Sequence, residues 1–221
     1  MKGILFKPDM IQAIVEGRKT QTRRLSGLKE INKEPDKWEL TRNTFGTPME
    51  DGSWRFGHSR PNFYVVYIKP RYQVGEVVYI KEAWATEKQY DHLKPSEIPH
   101  TAKIFYVSGG VGEWPINLPI GKLRSPLFMP AWAARHLIKF TDVKAQRLQE
   151  ITEGDAVKEG TPINDFFPVN TAAIAGLSTV DYYAELWDTI NPKYPFESNC
   201  WVFAYSFNLR QEIPESRYEE V

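Results

Sequence analysis

The sequence predicts an α+β fold built around a small β barrel. Several short β-type runs and two or three amphipathic helical segments occur along the 221 residues, without the repeated βαβ rhythm of an α/β sheet. The composition is 42% hydrophobic and 14% aromatic, which supplies enough apolar side chain for a packed core and argues against a disordered chain.

The chain begins with a predicted strand, a helix and a second extended segment. Gly3–Lys7 has strand character, and Pro8-Asp9 opens a helix whose apolar residues recur at helical spacing. Gly17 suits the position that follows a helix C-terminus. Residues 18–25 are expected to be extended, because their threonines favour a strand.

Two long stretches, residues 26–62 and 85–124, lack a clear hydrophobic period and are predicted to be insertions in a single domain that spans residues 1–221. A hairpin is expected around Asp51-Gly52 in the first and a turn at Gly109-Gly110 in the second. Two strands are expected between the two insertions, at 63–68 and 76–80. A third is expected inside the second insertion, at 104–107.

The C-terminal half alternates strands and helices. Leu137–Val143 is a predicted strand, and Ile151–Glu159 a helix that starts near Thr152 with a capping box. Val180–Ile190 has an apolar face at helical spacing. Trp201–Phe207 is the last predicted strand.

Charge and cysteine content narrow the classes of function. The formal net charge is zero and the pI is about 6.9, so a protein that coats nucleic acid through bulk positive charge is excluded and a local site is favoured. Cys200 is the only cysteine, so no disulfide can form within the chain and a cytoplasmic location is expected. No run approaches the roughly 20 apolar residues of a membrane span. The histidines lack ligand spacing, so no metal or other cofactor is expected.

The segment GRKTQTRR at residues 17–24 concentrates positive charge where a helix gives way to extended chain. Two interpretations are open: a solvated basic strand, or an anion-binding edge whose lysine activates a hydroxyl. Lys19 and Thr22 would lie on opposite faces of a regular strand, so they share a pocket only if the chain turns between them.

Together with five other segments, this element resembles the ASCH superfamily, a PUA-like group, and most closely its larger bacterial and phage members. The other segments are VGEVVYIKEAW (74–84), SPLFMPAWAAR (125–135), the run from 138 through LQEITEGDAVKEG (148–160), and YYAELWDTINP with WVFAYSF (201–207). The resemblance implies a PUA-like β pseudo-barrel flanked by helices, with a cleft for RNA or a modified nucleoside.

Some small members of this superfamily hydrolyse the acetyl amide of N4-acetylcytidine with a lysine, a threonine and a glutamate. The resemblance places these roles on Lys19, Thr22 and Glu159, with Glu153 and Asp155 as nearby alternatives to the glutamate. In this hypothesis Lys19 activates Thr22 and Glu159 gives a proton to the leaving nitrogen. Whether the chain is an enzyme stays open at this point, because a static ion pair between Lys19 and Glu159 would leave the lysine charged and useless as a base.

Binding without catalysis is the main alternative, with Arg18, Arg23 and Arg24 as contacts to nucleic acid. A ribonuclease is a weaker one, in which Lys19, Arg23 and Glu159 would stabilise a phosphorane.

The tryptophans and other aromatics fall into two groups. Aromatic residues in or beside the insertions could stack on bases or pack locally; these are Trp38, Trp54, Phe56, Tyr64 and Trp114. Four tryptophans in apolar, periodic segments are expected in the core: Trp84, Trp132, Trp187 and Trp201.

Overall fold

The structure is a computed structural model of the chain, and it describes residues 1–41, 47–59, 64–106, 120–161 and 178–210. These residues form a mixed α+β fold with several sheets and few helices, which confirms the predicted class. Among them no closed barrel is found. The predicted turn at Gly109-Gly110 lies outside the described residues, as does Trp114.

The helices are α1 (Pro8–Val15), α2 (Glu153–Lys158) and α3 (Thr179–Ile190). The strands are β1 (Gly3–Leu5), β2 (Gln21–Arg24), β3 (Trp38–Leu40), β4 (Trp54–His58), β5 (Val65–Ile68), β6 (Val77–Lys81), β7 (Trp84–Ala85), β8 (Phe105–Tyr106), β9 (Leu137–Arg147) and β10 (Trp201–Arg210). Every strand and helix predicted from the sequence has a counterpart here, with ends shifted by a few residues and β9 continuing to Arg147.

Three local signals in the sequence are confirmed by the backbone. Gly17 follows α1 with a φ of 75°, a conformation that glycine adopts without steric cost. Thr152 caps α2, and its side chain exchanges hydrogen bonds with Asp155 as a capping box requires. Gly52, with a φ of 79°, lies in a turn just before β4, which pairs with β3 in antiparallel fashion.

The described residues pack as two compact units. Residues 1–17, 77–139 and 208–210 belong to the first unit, and residues 18–76 and 140–207 to the second. A division into packed units is compatible with one domain or with two. The single domain over residues 1–221, with insertions at 26–62 and 85–124, therefore stays a prediction.

In the first unit, β1 runs parallel to β6, and β6 pairs in antiparallel fashion with the start of β9. The short strands β7 and β8 form a separate ribbon. Its core contains aromatic, aliphatic and alanine side chains, among them Tyr79, Trp84, Ile98, Met129, Ala133 and Ala134.

A buried ion pair ties the end of β6 to the segment before β9. The Glu82 carboxylate is fully buried and accepts hydrogen bonds from Arg135 Nε at 3.1 Å and from Arg135 Nη2 at 2.8 Å. The same guanidinium lies 4.4 Å from the centre of the Tyr106 ring. One carboxylate is thus matched by one bidentate cation, an arrangement that offsets much of the cost of burial.

In the second unit, β10 lies between β9 and β2, and β3, β4 and β5 form a three-stranded antiparallel sheet. Helix α2 packs on α3 and on β2. A core cluster fills the space around these helices: Leu148, Ile151, Ala156, Tyr183, Trp187, Cys200 and Val202.

No helix within the described ranges is both long enough and apolar enough to cross a bilayer.

Replacing Arg135 with alanine is expected to lower the free energy of unfolding by about 3 kcal/mol, because Glu82 would remain as a buried charge without its bidentate partner. Urea denaturation at pH 7 measures this. Lys94→Ala is the control, since Lys94 is 81% exposed and pairs loosely with Glu97 at 3.9 Å; it should change stability little. Equal losses in the two variants would contradict a structural role for the buried pair.

A candidate active site where strand β2 meets helix α2

The start of β2 docks against the C-terminal end of α2. The Thr20 amide donates a hydrogen bond to the carbonyl of Lys158 at 2.8 Å. Glu159 is the C-cap of this helix, and Gly160 follows it with a φ of 84°. The basic segment and the helix with Glu159 therefore meet, although about 140 residues separate Lys19 from Glu159.

The Lys19 side chain is 1% exposed and points into this junction. Its Nζ donates to Glu159 Oε2 at 2.9 Å, to the Glu159 carbonyl at 2.5 Å and to the Gln21 carbonyl at 2.9 Å. Lys19 thus binds the carboxylate and also satisfies a backbone carbonyl at the end of α2, which a basic group does favourably.

Arg23 holds the other oxygen of the same carboxylate. Its Nη1 donates to Glu159 Oε1 at 3.0 Å and to Gln21 Oε1 at 2.7 Å. Its Nη2 lies 3.4 Å from Asp155 Oδ2, and the guanidinium lies over the Tyr183 ring at 5.8 Å. The Glu159 carboxylate is therefore gripped at both oxygens, by one cation on each side.

Burial is the largest influence on Lys19 and lowers the pKa of its amine, because an ammonium ion loses hydration energy in this interior. Glu159 acts in the opposite direction, by charge and by hydrogen bonding, while Arg24 and Arg23 lower the pKa further. The net direction is downward, so the neutral amine is more accessible than in an exposed lysine.

Thr22 is buried, but it lies on the other face of β2. The hydrogen bond between Arg23 and Gln21 shows that these two side chains share one face of the strand. The residue between them must point the opposite way, and Thr22 pairs across the ladder with Tyr205. The structure brings Lys19 and Glu159 together, while Thr22 lies on the strand face opposite Gln21 and Arg23.

The three arginines expected to contact nucleic acid are placed differently from one another. Arg18 is exposed and Arg24 is partly buried, whereas Arg23 is 4% exposed and is turned inward. Sequence reasoning missed Gln21 and Tyr183 as neighbours of this group. For Gln21 a signal was available, because residues two apart on a strand share a face.

The aromatic residues of the first insertion are mostly in the core. Trp38, Trp54 and Phe56 are buried, whereas Tyr64 is 44% exposed and meets Trp38 edge-on at 5.3 Å. Of the four tryptophans predicted to be in the core, three are buried and Trp132 is partly buried.

A metal centre has no candidate in the described ranges, where no cluster of three histidine, cysteine, aspartate or glutamate side chains could hold an ion. Cys200 is a buried free thiol, and burial raises its pKa to about 11, so it is protonated at neutral pH.

No family model and no curated protein matches this chain. A solved crystal structure, that of protein EF3133 from Enterococcus faecalis V583, with the family model DUF984, is similar with a TM-score of 0.36 at 13% identity. The match covers 95% of this chain and 75% of that chain. At this TM-score the similarity carries no argument about fold or function.

Lys19 and Glu159 are expected to be energetically coupled. Glu159→Gln should cost about 3 kcal/mol of stability because it leaves buried cations without their carboxylate. A double-mutant cycle with Lys19→Met should give a coupling energy of at least about 1 kcal/mol. The control is the exposed pair of Lys33 and Glu30, for which the same cycle should show no measurable coupling. Additive losses at Lys19 and Glu159 would contradict the contact.

Proposed function

We propose that this protein is an amidohydrolase that cleaves the acyl amide of an N4-acylated cytidine, with Lys19 as the group that transfers the proton and Glu159 as the counter-charge of its ammonium form. The observation that carries the proposal is the buried contact between the Lys19 amine and the Glu159 carboxylate at 2.9 Å, at a lysine whose pKa is lowered. A buried titratable pair with a shifted pKa is typical of functional sites.

The substrate class comes from the resemblance of GRKTQTRR and the ITEGDAVKEG helix to the ASCH superfamily. The PUA-like pseudo-barrel belongs to the same proposal. The structure supports this proposal because Lys19 and Glu159 lie within hydrogen-bond distance of each other. Groups that act together in acid–base catalysis of amide hydrolysis need such a distance.

The reaction needs a base, a nucleophile and a proton for the leaving nitrogen. Neutral Lys19 accepts a proton from water as the water oxygen bonds to the acyl carbon. When the bond between that carbon and N4 breaks, the Lys19 ammonium returns the proton to N4. The products are cytidine and a carboxylic acid, and no other reactant is needed.

In this scheme Glu159 acts as an anion. It accepts hydrogen bonds from Lys19 and Arg23, so it is better suited to stabilise the lysine ammonium than to donate a proton itself. Thr22, on the opposite face of β2, is not needed as the nucleophile. Both points modify the hypothesis drawn from the sequence.

Binding without turnover is the second candidate. Arg18 is exposed and Arg24 is partly buried, beside Lys19 and Arg23 in the same basic segment, and a concentration of positive charge of this kind favours an anionic group such as an RNA phosphate. In this case the protein would hold N4-acylated RNA or a nucleotide and release it unchanged.

The purified protein is expected to release acetate from N4-acetylcytidine without added metal. Lys19→Ala should abolish turnover because it removes the base, and Glu159→Gln should reduce kcat by roughly 100-fold or more because the ammonium loses its counter-charge. Thr22→Ala should keep most of the activity. Mass spectrometry of a panel of N4-acylated cytidines, as nucleosides and within RNA, measures all four proteins.

Lys33→Gln, on an exposed residue outside the cluster, is the matched control and should leave turnover unchanged. An unchanged panel with the folded wild-type protein would reject the hydrolase, and binding of the acylated RNA in the same samples would then favour the second candidate. Loss of activity in Thr22→Ala alone, with Lys19→Ala active, would contradict the assigned roles.

A further inference from the structure

Arg23 is a buried cation whose contacts are with other residues of the candidate site. Its guanidinium contacts Glu159, Gln21 and Asp155, and its side chain is essentially inaccessible to solvent. A phosphate could reach it only by displacing these partners. Arg23 is therefore suited to orient the neighbouring side chains rather than to bind a phosphate.

We infer that Arg23 is a positioning residue, which fixes the Glu159 carboxylate against Lys19 and whose charge favours the neutral form of the Lys19 amine. The inference deepens the proposed function and rests on it for the reaction, whereas the placement of Glu159 can be tested without any reaction.

The positioning role of Arg23 follows from the contacts of the two Glu159 carboxylate oxygens. Arg23 Nη1 holds Oε1 at 3.0 Å while Lys19 Nζ holds Oε2 at 2.9 Å, so rotation of the Glu159 carboxylate is restricted. Gln21 in turn holds the same Nη1 at 2.7 Å from the neighbouring position on the strand face. Without Arg23, only Lys19 would orient Glu159.

Helix α2 holds Arg23 from the other side. The Asp155 carboxylate lies 3.4 Å from Arg23 Nη2 and also accepts a hydrogen bond from the Thr152 amide in the capping box. Partial burial works against ionisation of Asp155, but the bonds from Thr152 and the charge of Arg23 leave its pKa lowered. Arg23 is therefore anchored both in β2 and at the start of α2.

The electrostatic part follows from the groups around the pair. Glu159, Arg24 and Arg23 act on Lys19 by charge. Tyr183 lies near Glu159 and both arginines, Tyr72 and Tyr205 lie near Arg24, and Lys158 lies near Asp155. A like charge disfavours a second cation nearby. Removal of Arg23 should therefore favour the ammonium form of Lys19, so a higher pH is needed to obtain the active amine.

Two variants separate charge from placement. Arg23→Gln should lower kcat at least tenfold and move the midpoint of the rising limb of the profile of kcat/KM against pH upward. Arg23→Lys keeps the charge but cannot form the same fork, so it should lower kcat with a midpoint near that of the wild type. Lys33→Gln removes an exposed cation and should change neither quantity.

Crystal structures of the wild type and of Arg23→Gln supply a measurement that needs no substrate. We expect the Glu159 carboxylate to rotate in the variant, so that Oε1 leaves its present position while the contact of Oε2 with the Lys19 amine is kept. The inference is overturned when Glu159 stays in place in the variant and either kcat or the midpoint is unchanged. When the wild type hydrolyses no substrate, the proposed function fails, and the position of Glu159 in the two structures alone decides the inference.

Discussion

The carboxylate of Glu159 lies between Lys19 and Arg23, and much of the second unit is arranged around this contact. Strand β2 supplies Arg23, Lys19 lies two residues before this strand, and Glu159 is the C-cap of α2. The helix is only six residues long, so its C-terminal end depends on the partners it finds. Lys19 is one of these, because its amine donates hydrogen bonds to both the carboxylate and the backbone carbonyl of the C-cap residue.

The chain contains a second buried carboxylate, and the two differ in a way that bears on their roles. Glu82 is held by a bidentate arginine, with His136 Nε2 4.0 Å away. Glu159 contacts Lys19 and Arg23, and Arg24 contributes to the local field. A bidentate pair with an arginine is suited to a structural role, whereas the arginines near Lys19 act against the charged form of its amine.

Local signals in the sequence predicted much of the fold. The glycine after α1, the capping box of α2 and the period of the strands each depend on a few neighbouring residues, so they could be recognised without the tertiary structure. The pairing of Lys19 with Glu159 was expected only through a family resemblance, because no local rule joins residues 140 positions apart. The order of the strands and the division into two units also depend on contacts of this long-range kind.

The inward orientation of Arg23 shows where sequence reasoning fails for charged segments. A run of basic residues is usually solvated, and composition does not tell which of its side chains a neighbouring helix will cover. The alternation of β2 then turns Gln21 and Arg23 toward Glu159 and Thr22 away from it. The three residue types of the hydrolase hypothesis are all present, and two of these residues, Lys19 and Glu159, are in direct contact.

The central claim is that the Lys19 amine can act as a base because its surroundings disfavour its charged form. The most direct test is an NMR titration of the wild-type protein with 13Cε-labelled lysine, in which the Lys19 signal is assigned by its loss in Lys19→Met. We expect Lys19 to titrate below the ordinary lysine value of 10.5, in the direction that burial and the two arginines impose. A Lys19 that stays protonated up to or above 10.5 would be a permanent structural cation and would contradict the account.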